Sequence, residues 1–190
     1  MPVSATIEIR ACWVHEGRAA ELVRELKYGR ATAAVTQFAD AMALLVPPVD
    51  MITWAPASVE RQRSRGFDQA ELLALAVANR TGLRARRLAR RGSDTPQTAR
   101  DRAGRIAGPS LAPVGRRLRR LPSVLVVDDV ATTGATLRAM AALLRDRGAG
   151  DVCALVVTQA VIRDQGPVSP GCYHLRDAKG VPSELHHYRR

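Results

Sequence analysis

Apolar positions along this chain follow two rhythms. Short aliphatic runs at residues 49–54, 124–127 and 152–158 read as strands, and longer stretches with apolar residues three and four apart read as helices. Residues 18–27 carry Leu22, Val23 and Leu26 at helical spacing with charges between them, and Tyr28-Gly29 ends that helix. Residues 31–45 place Val35, Phe38, Ala39, Met42 and Leu45 on one face and stop at Pro47-Pro48. A third helix starts near Asp68, well placed as its N-cap, and runs to Asn79 before Thr81-Gly82 closes it. In the fourth, over residues 136–147, Leu137, Met140, Ala141 and Leu144 form one stripe, with Gly148 as the stop. Residues 4–14 alternate weakly and suggest a short strand before the turn His15-Glu16-Gly17. Residues 83–88 suggest another strand, diluted by arginine. Helices thus alternate with short apolar strands, which argues for one α/β domain over residues 1–190: a mostly parallel sheet with helices on both faces.

The stretch that organises the rest is Val124-Leu125-Val126-Val127-Asp128-Asp129-Val130-Ala131-Thr132-Thr133-Gly134-Ala135-Thr136. Four apolar residues predict a buried strand, two adjacent carboxylates end it, small residues follow, and a helix begins. Ligands of open α/β sheets sit where strands end and helices start. Small residues let a ligand approach the backbone, and the helix-start N–H groups with the Thr132, Thr133 and Thr136 hydroxyls suit a phosphate. A phosphate cradle beside Asp128 and Asp129 suggests a sugar phosphate, its ribose hydroxyls on the acids. An ordinary strand–turn–helix capped by an acid needs neither two acids nor three threonines and a glycine in one loop.

Composition changes the picture little: 46% hydrophobic and 25% charged residues in 190 are ordinary for a globular chain. No apolar run approaches a membrane span, and the first residues lack the pattern of a signal peptide, so the cytoplasm is the expected compartment and no membrane partner is expected. Cys12, Cys153 and Cys172 form no C-x-x-C pair, which removes a zinc ribbon; Cys153 is expected as a small buried side chain. The histidines, His15 included, are expected as ordinary surface or turn residues, Gln69 as a surface residue and Phe67 as core.

Charge matters more. The net charge is +11, and between Arg84 and Arg120 twelve arginines face only Asp94 and Asp101, a local net of +10. Such a field attracts polyanions, whether nucleic acid or polyphosphate, although a solvated arginine-rich face has the same composition. Residues 92–122 also scatter Gly and Pro among few large apolar residues, the mark of a long functional or mobile connection. The tail, residues 164–190, is polar and patternless. Aromatic residues, at 4%, are too few to suggest a base-stacking platform.

The loop at 128–136 resembles the 5-phosphoribosyl 1-diphosphate (PRPP) loop of type I phosphoribosyltransferases. With three further blocks the chain resembles the competence-associated ComF family: Leu26-Lys27-Tyr28-Gly29, Arg65-Gly66-Phe67-Asp68-Gln69-Ala70-Glu71-Leu72-Leu73, and Thr95-Pro96-Gln97 followed by Arg102. It departs from that family in lacking a cysteine-rich N-terminal ribbon, in Asp68 where Asn is usual, in Trp54-Ala55-Pro56-Ala57 where a V-P-V-P-like segment is usual, and in Arg105 where Asn is usual.

The resemblance implies a type I phosphoribosyltransferase fold that binds PRPP, or a nucleoside 5′-monophosphate, with Mg2+. The 5′-phosphate would sit in the loop of Ala131, Thr132, Thr133, Gly134, Ala135 and Thr136, with the catalytic acids Asp128 and Asp129 on the ribose and available to Mg2+. Ala55, Pro56, Ala57 and Ser58 would meet the diphosphate, with Lys27 and Arg65 as cationic partners. Residues 92–122 would close as a hood while a nitrogen nucleophile displaces diphosphate at C1. Thr132 stands where purine-salvage relatives have an Asp that assists proton transfer, which argues against hypoxanthine or guanine chemistry of that kind. Two alternatives stand beside transfer: a DNA-uptake accessory protein contacting single-stranded DNA through the Arg84–Arg120 segment, and a PRPP-sensing regulator without turnover. A homodimer is compatible with each.

Overall fold

The computed structural model describes residues 7–27, 32–58, 60, 62–63, 66–92 and 109–160. Its main sheet has five strands: β1 (Glu8–Val14), β2 (Met51–Trp54), β3 (Arg84–Ala85), β6 (Val124–Ala131) and β7 (Val152–Gln159), in the order β1-β7-β6-β2-β3. Every pairing in it is parallel. Between β3 and β6 in sequence, β4 (Ala89–Arg91) and β5 (Leu111–Pro113) form a separate antiparallel ribbon.

Helices α1 (Gly17–Lys27), α2 (Thr32–Ala43) and α3 (Gln69–Thr81) cover one face, and α4 (Ala135–Asp146) covers the other. Alternate residues of β6 serve the two cores. Leu125 and Val127 pack with Val23, Phe38 and Leu73, while Val124 and Val126 pack with Leu137, Met140 and Leu144. Burial on both faces is why residues 124–127 of this strand are apolar without a break, since each fully buried aliphatic side chain contributes about 1.5–3 kcal/mol. Trp13 meets Phe38 with ring centroids 5.7 Å apart, fixing α2 against β1.

The expected α/β architecture is present, with three differences of detail. The strand at 124–127 does not end at the two acids; it continues to Ala131, because β7 pairs alongside as far as Ala131↔Gln159. Part of the 92–122 connection is ordered strand, β5, while residues 93–108 lie outside the described residues, as do Tyr28-Gly29, Arg65 and the tail. Phe67 and Cys153 are half-buried.

The chain order creates a switch point. From β6 the chain passes through α4 to β7 on one side, and from β2 it passes through α3 to β3 on the other. The loops after β6 and β2 diverge, and a crevice opens between them at the carboxyl ends of the strands.

Candidate functional site

A cleft of about 430 Å³ occupies this crevice. The β6 side supplies Asp128, Asp129, Val130 and Thr132, and α4 adds Thr136 from its first turn. The β2 side supplies Ala55, Pro56 and Ala57. His15, Asp68, Gln69, Ala70 and Arg91 complete the wall.

Asp128 and Asp129, towards the carboxyl end of β6, both lie in the wall of this space. Burial pushes the Asp128 carboxyl well above the usual carboxylate range, and the neighbouring Asp129 charge pushes it further the same way; the Asp129 N–H, donated to Asp128 Oδ1 at 2.8 Å, opposes both. Next, Gly134 takes φ +69° and turns the chain into α4. A Cβ there would lie 3.1 Å from Ile9 Cδ1 and 3.2 Å from Arg138 Nη1. Thr133 Oγ accepts the Ala135 N–H at 3.3 Å, so this hydroxyl helps shape the turn.

Asp68 joins the other wall together. It is 5% exposed, and as the N-cap of α3 its Oδ1 accepts from the N–H groups of Ala70 (3.1 Å) and Glu71 (3.4 Å). Its Oδ2 accepts from Ala57 N–H (3.0 Å) and from Gln62 Nε2 (3.1 Å). One carboxylate therefore starts a helix and holds the 55–58 loop. Arg91 Nε donates to Pro56 O at 2.9 Å, which attaches the β4–β5 ribbon to the same loop and brings a guanidinium to the cleft.

Of the residues expected at a site, Asp128, Asp129, Thr132, Thr136, Ala55, Pro56 and Ala57 share this cleft. Ala131, Thr133, Gly134, Ala135 and Ser58 belong to the same two loops without being wall residues. Lys27 is the last residue of α1, and Arg65 lies outside the described residues.

Three wall residues escaped sequence reasoning. His15 follows β1, and because β1 lies beside β7 its Nδ1 reaches Thr158 Oγ1 at 2.7 Å. Gln69, expected at the surface, is 3% exposed, since the start of α3 faces the crevice. Arg91 was hidden in a run of arginines whose common charge gave no hint that one of them turns inward. The family block around Asp68-Gln69 was the one signal that could have found any of these.

The phosphoribosyl transferase domain family matches residues 70–190, more than half of the chain. No curated protein matches it. Among solved structures, it is similar to the glutamine PRPP amidotransferase from B. subtilis complexed with ADP and GMP (TM-score 0.51, 20% identity over 70% of this chain). This chain spans only 30% of that protein's length. It is also similar to adenine phosphoribosyltransferase from Thermoanaerobacter pseudethanolicus (TM-score 0.48, 14% identity, 70% of this chain and 84% of that one). A phosphoribosyltransferase from Corynebacterium diphtheriae gives a TM-score of 0.42 at 17% identity, over 76% and 84% of the two chains. The amidotransferase likeness is one of fold; the domain match over α3, β6, α4 and β7 identifies the lineage, and the chain belongs to the phosphoribosyl transferase domain family.

Proposed function

We propose that the crevice binds PRPP, or a ribose 5-phosphate compound such as a nucleoside 5′-monophosphate, with Mg2+, and that the protein transfers the phosphoribosyl group to a nitrogen acceptor. The observation that carries this reading is the convergence of Asp128, Asp129, Thr132, Thr136 and the Ala55–Ala57 backbone on one cleft at the switch point. The 5′-phosphate goes to the 131–136 loop, the ribose hydroxyls to the two acids, and the diphosphate to the 55–58 loop. Arg91 is added as a diphosphate partner, beside Lys27 and Arg65.

Mg2+ fits this chemistry. Two half-buried carboxylates that repel each other welcome a divalent cation, and hard oxygen donors suit it. Among the described residues no set of three His, Cys, Asp or Glu side chains could hold a metal, so diphosphate oxygens would complete the shell around Asp128 and Asp129. In the reaction the C1–N bond forms as the C1–O bond breaks, and its electrons leave with diphosphate. Of the hood expected over residues 92–122, residues 111–122 are fixed as β5 and the loop packed after it, so only residues 92–110 would be left to fold over the site within a single domain.

From the ComF resemblance we further propose a cytoplasmic competence-associated protein, with DNA uptake as its setting and a homodimer as its assembly. No helix among the described residues is long and apolar enough to cross a membrane. A sensor that binds PRPP without turnover is the second reading; the absence of a carboxylate at Thr132 weighs against hypoxanthine or guanine as the acceptor and leaves the sensor and other nitrogen acceptors equally open.

Calorimetric titration of PRPP with Mg2+ tests the first reading against an Asp128→Ala/Asp129→Ala variant. Heat with the parent and none with the variant is expected. An absence of heat with the parent, alongside a folded thermal transition, would remove the proposal; binding without diphosphate release across an acceptor screen would leave the sensor.

A further inference from the structure

A second, larger cleft of about 1130 Å³ opens at the opposite edge of the sheet, where β2 and β3 begin. Met51 and Arg84, the first residues of those strands, lie in its wall. Four residues of β6, from Val124 beside Met51 to Asp128 in the first cleft, separate the two, roughly 13 Å at strand rise. Seven arginines line it: Arg84, Arg86 and Arg87 from β3 and its continuation, Arg116, Arg117 and Arg119 from the loop after β5, and Arg147 after α4.

The single acid in the wall is already engaged. Asp50 accepts from the N–H of Ser123 at 2.7 Å and from its hydroxyl at 2.8 Å, and these bonds hold its carboxyl below the usual range. Arg87 is partly committed as well, paired with Glu71 and stacked over Trp54 at 5.7 Å. Arg84, Arg86, Arg116, Arg117 and Arg119 remain exposed.

The arginine loop is held in place. Val114 N–H donates to Leu88 O at 2.9 Å, which joins the two walls. Leu118 N–H donates to Arg147 O at 2.8 Å, Gly150 N–H to Pro122 O at 3.0 Å, and Arg147 Nη2 to Gly115 O at 2.6 Å. The loop lies so close to the α4–β7 turn that a Cβ on Gly148 would sit 2.8 Å from Leu118 O, and one on Gly150 2.5 Å from Leu121 O. Arg120 and Leu121 take φ +69° and +47°, a strained backbone for such residues, which persists where the surroundings impose it. Solvation alone would place these arginines on any surface; here close packing and strain fix a row of them along one cleft.

We propose that this cleft binds the phosphodiester backbone of a nucleic acid, independently of base sequence and of the ribose-phosphate site. Guanidinium forks match phosphate oxygens, and spaced arginines match spaced phosphates. No wall residue is aromatic, so bases have no platform on which to stack and sequence goes unread. With the two sites at opposite edges, a variant of one leaves the other as a report on folding.

The test measures fluorescence anisotropy of labelled mixed-sequence 30-mer oligonucleotides, single-stranded and duplex, with the full chain from 50 to 200 mM salt. With four to five phosphates engaged, affinity falls by roughly a hundredfold across that range. Arg86→Ser/Arg117→Ser is expected to weaken binding about tenfold and flatten the salt slope. Arg18→Ser/Arg24→Ser on α1, with the same change of net charge, is expected to weaken it far less. The circular dichroism spectrum of all three proteins should be the same. Equal losses in both variants would mean diffuse attraction and would overturn the site. Absent binding at 50 mM salt, or binding to anionic phospholipid vesicles but to neither oligonucleotide, would overturn it too. The stronger of the two oligonucleotides identifies the strand form.

Discussion

At Asp128, burial and the neighbouring Asp129 carboxylate act in the same direction, both favouring the protonated acid. The folded chain therefore holds a proton that the unfolded chain releases first. Stability falls as pH rises from the ordinary carboxylate range through the raised value, and the full penalty is present above it. Asp128→Asn removes the ionisation and keeps an oxygen for the Asp129 N–H. The variant should melt above the parent at pH 8, and the difference should vanish near about pH 3, below the unperturbed aspartate value. It should also lose ribose 5-phosphate binding. Thermal denaturation at the two pH values checks the first expectation, and equal gains at both would contradict it. Burial of this kind turns a residue that destabilises the empty protein into one suited to hold a cation or hydroxyl groups.

Single elements show where sequence and structure part company. Helices α1, α2 and α4 follow their 3.6-residue rhythm closely. Helix α3, expected to pack on Leu72, Leu73, Leu75, Ala76 and Val77, leaves Leu72 and Leu75 exposed and buries Gln69, Ala70 and Ala74 instead, because its start faces the crevice; Asp68 caps it as expected. The extent of β6 was not visible in its own residues. Paired acids look like a strand end, and only the long partner β7 extends the pairing to Ala131. His15 and Gln69 depend on sheet order and on the facing of α3, which no local window contains; a lone histidine at a turn has no periodicity to betray it. The junction of β6 and α4 was clearer, because a run of small residues stands between an apolar run and a helical stripe; within it Gly134 takes positive φ. Gly134→Ala places a methyl group against Ile9 and Arg138 in a left-handed conformation. A loss of about 1–2 kcal/mol is expected, read as a drop of a few degrees in Tm, with weaker binding of ribose 5-phosphate. An unchanged Tm would mean that the loop relaxes at no cost.

For the whole molecule, the parallel order separates two chemistries along one set of strands. Carboxyl ends gather acids and small loop residues, and the opposite edge gathers arginines. Charge counting located the basic segment but merged its members. Arg91 lies in the first cleft, Arg84 and Arg86 in the second, and the antiparallel ribbon connects the two environments.

The sheet order also has a consequence for synthesis. Among the described residues β1 lies at the end of the sheet and its partner is β7, with Glu8 opposite Cys153 and Val14 opposite Gln159. A ribosome adding about 5–20 residues per second leaves the first strand waiting on the order of ten seconds for the last. Throughout that interval Cys12 and Trp13, buried in the finished core, have no strand to lie beside. Completion of the fold is thus tied to the arrival of residues 152–159 rather than to gradual growth from the N-terminus, and long-range pairing of this kind slows folding. A chain ending at Gly150 should unfold without a cooperative transition; a sharp one, with the near-ultraviolet signal of packed tryptophan, would show that the nascent chain settles before its last strand emerges.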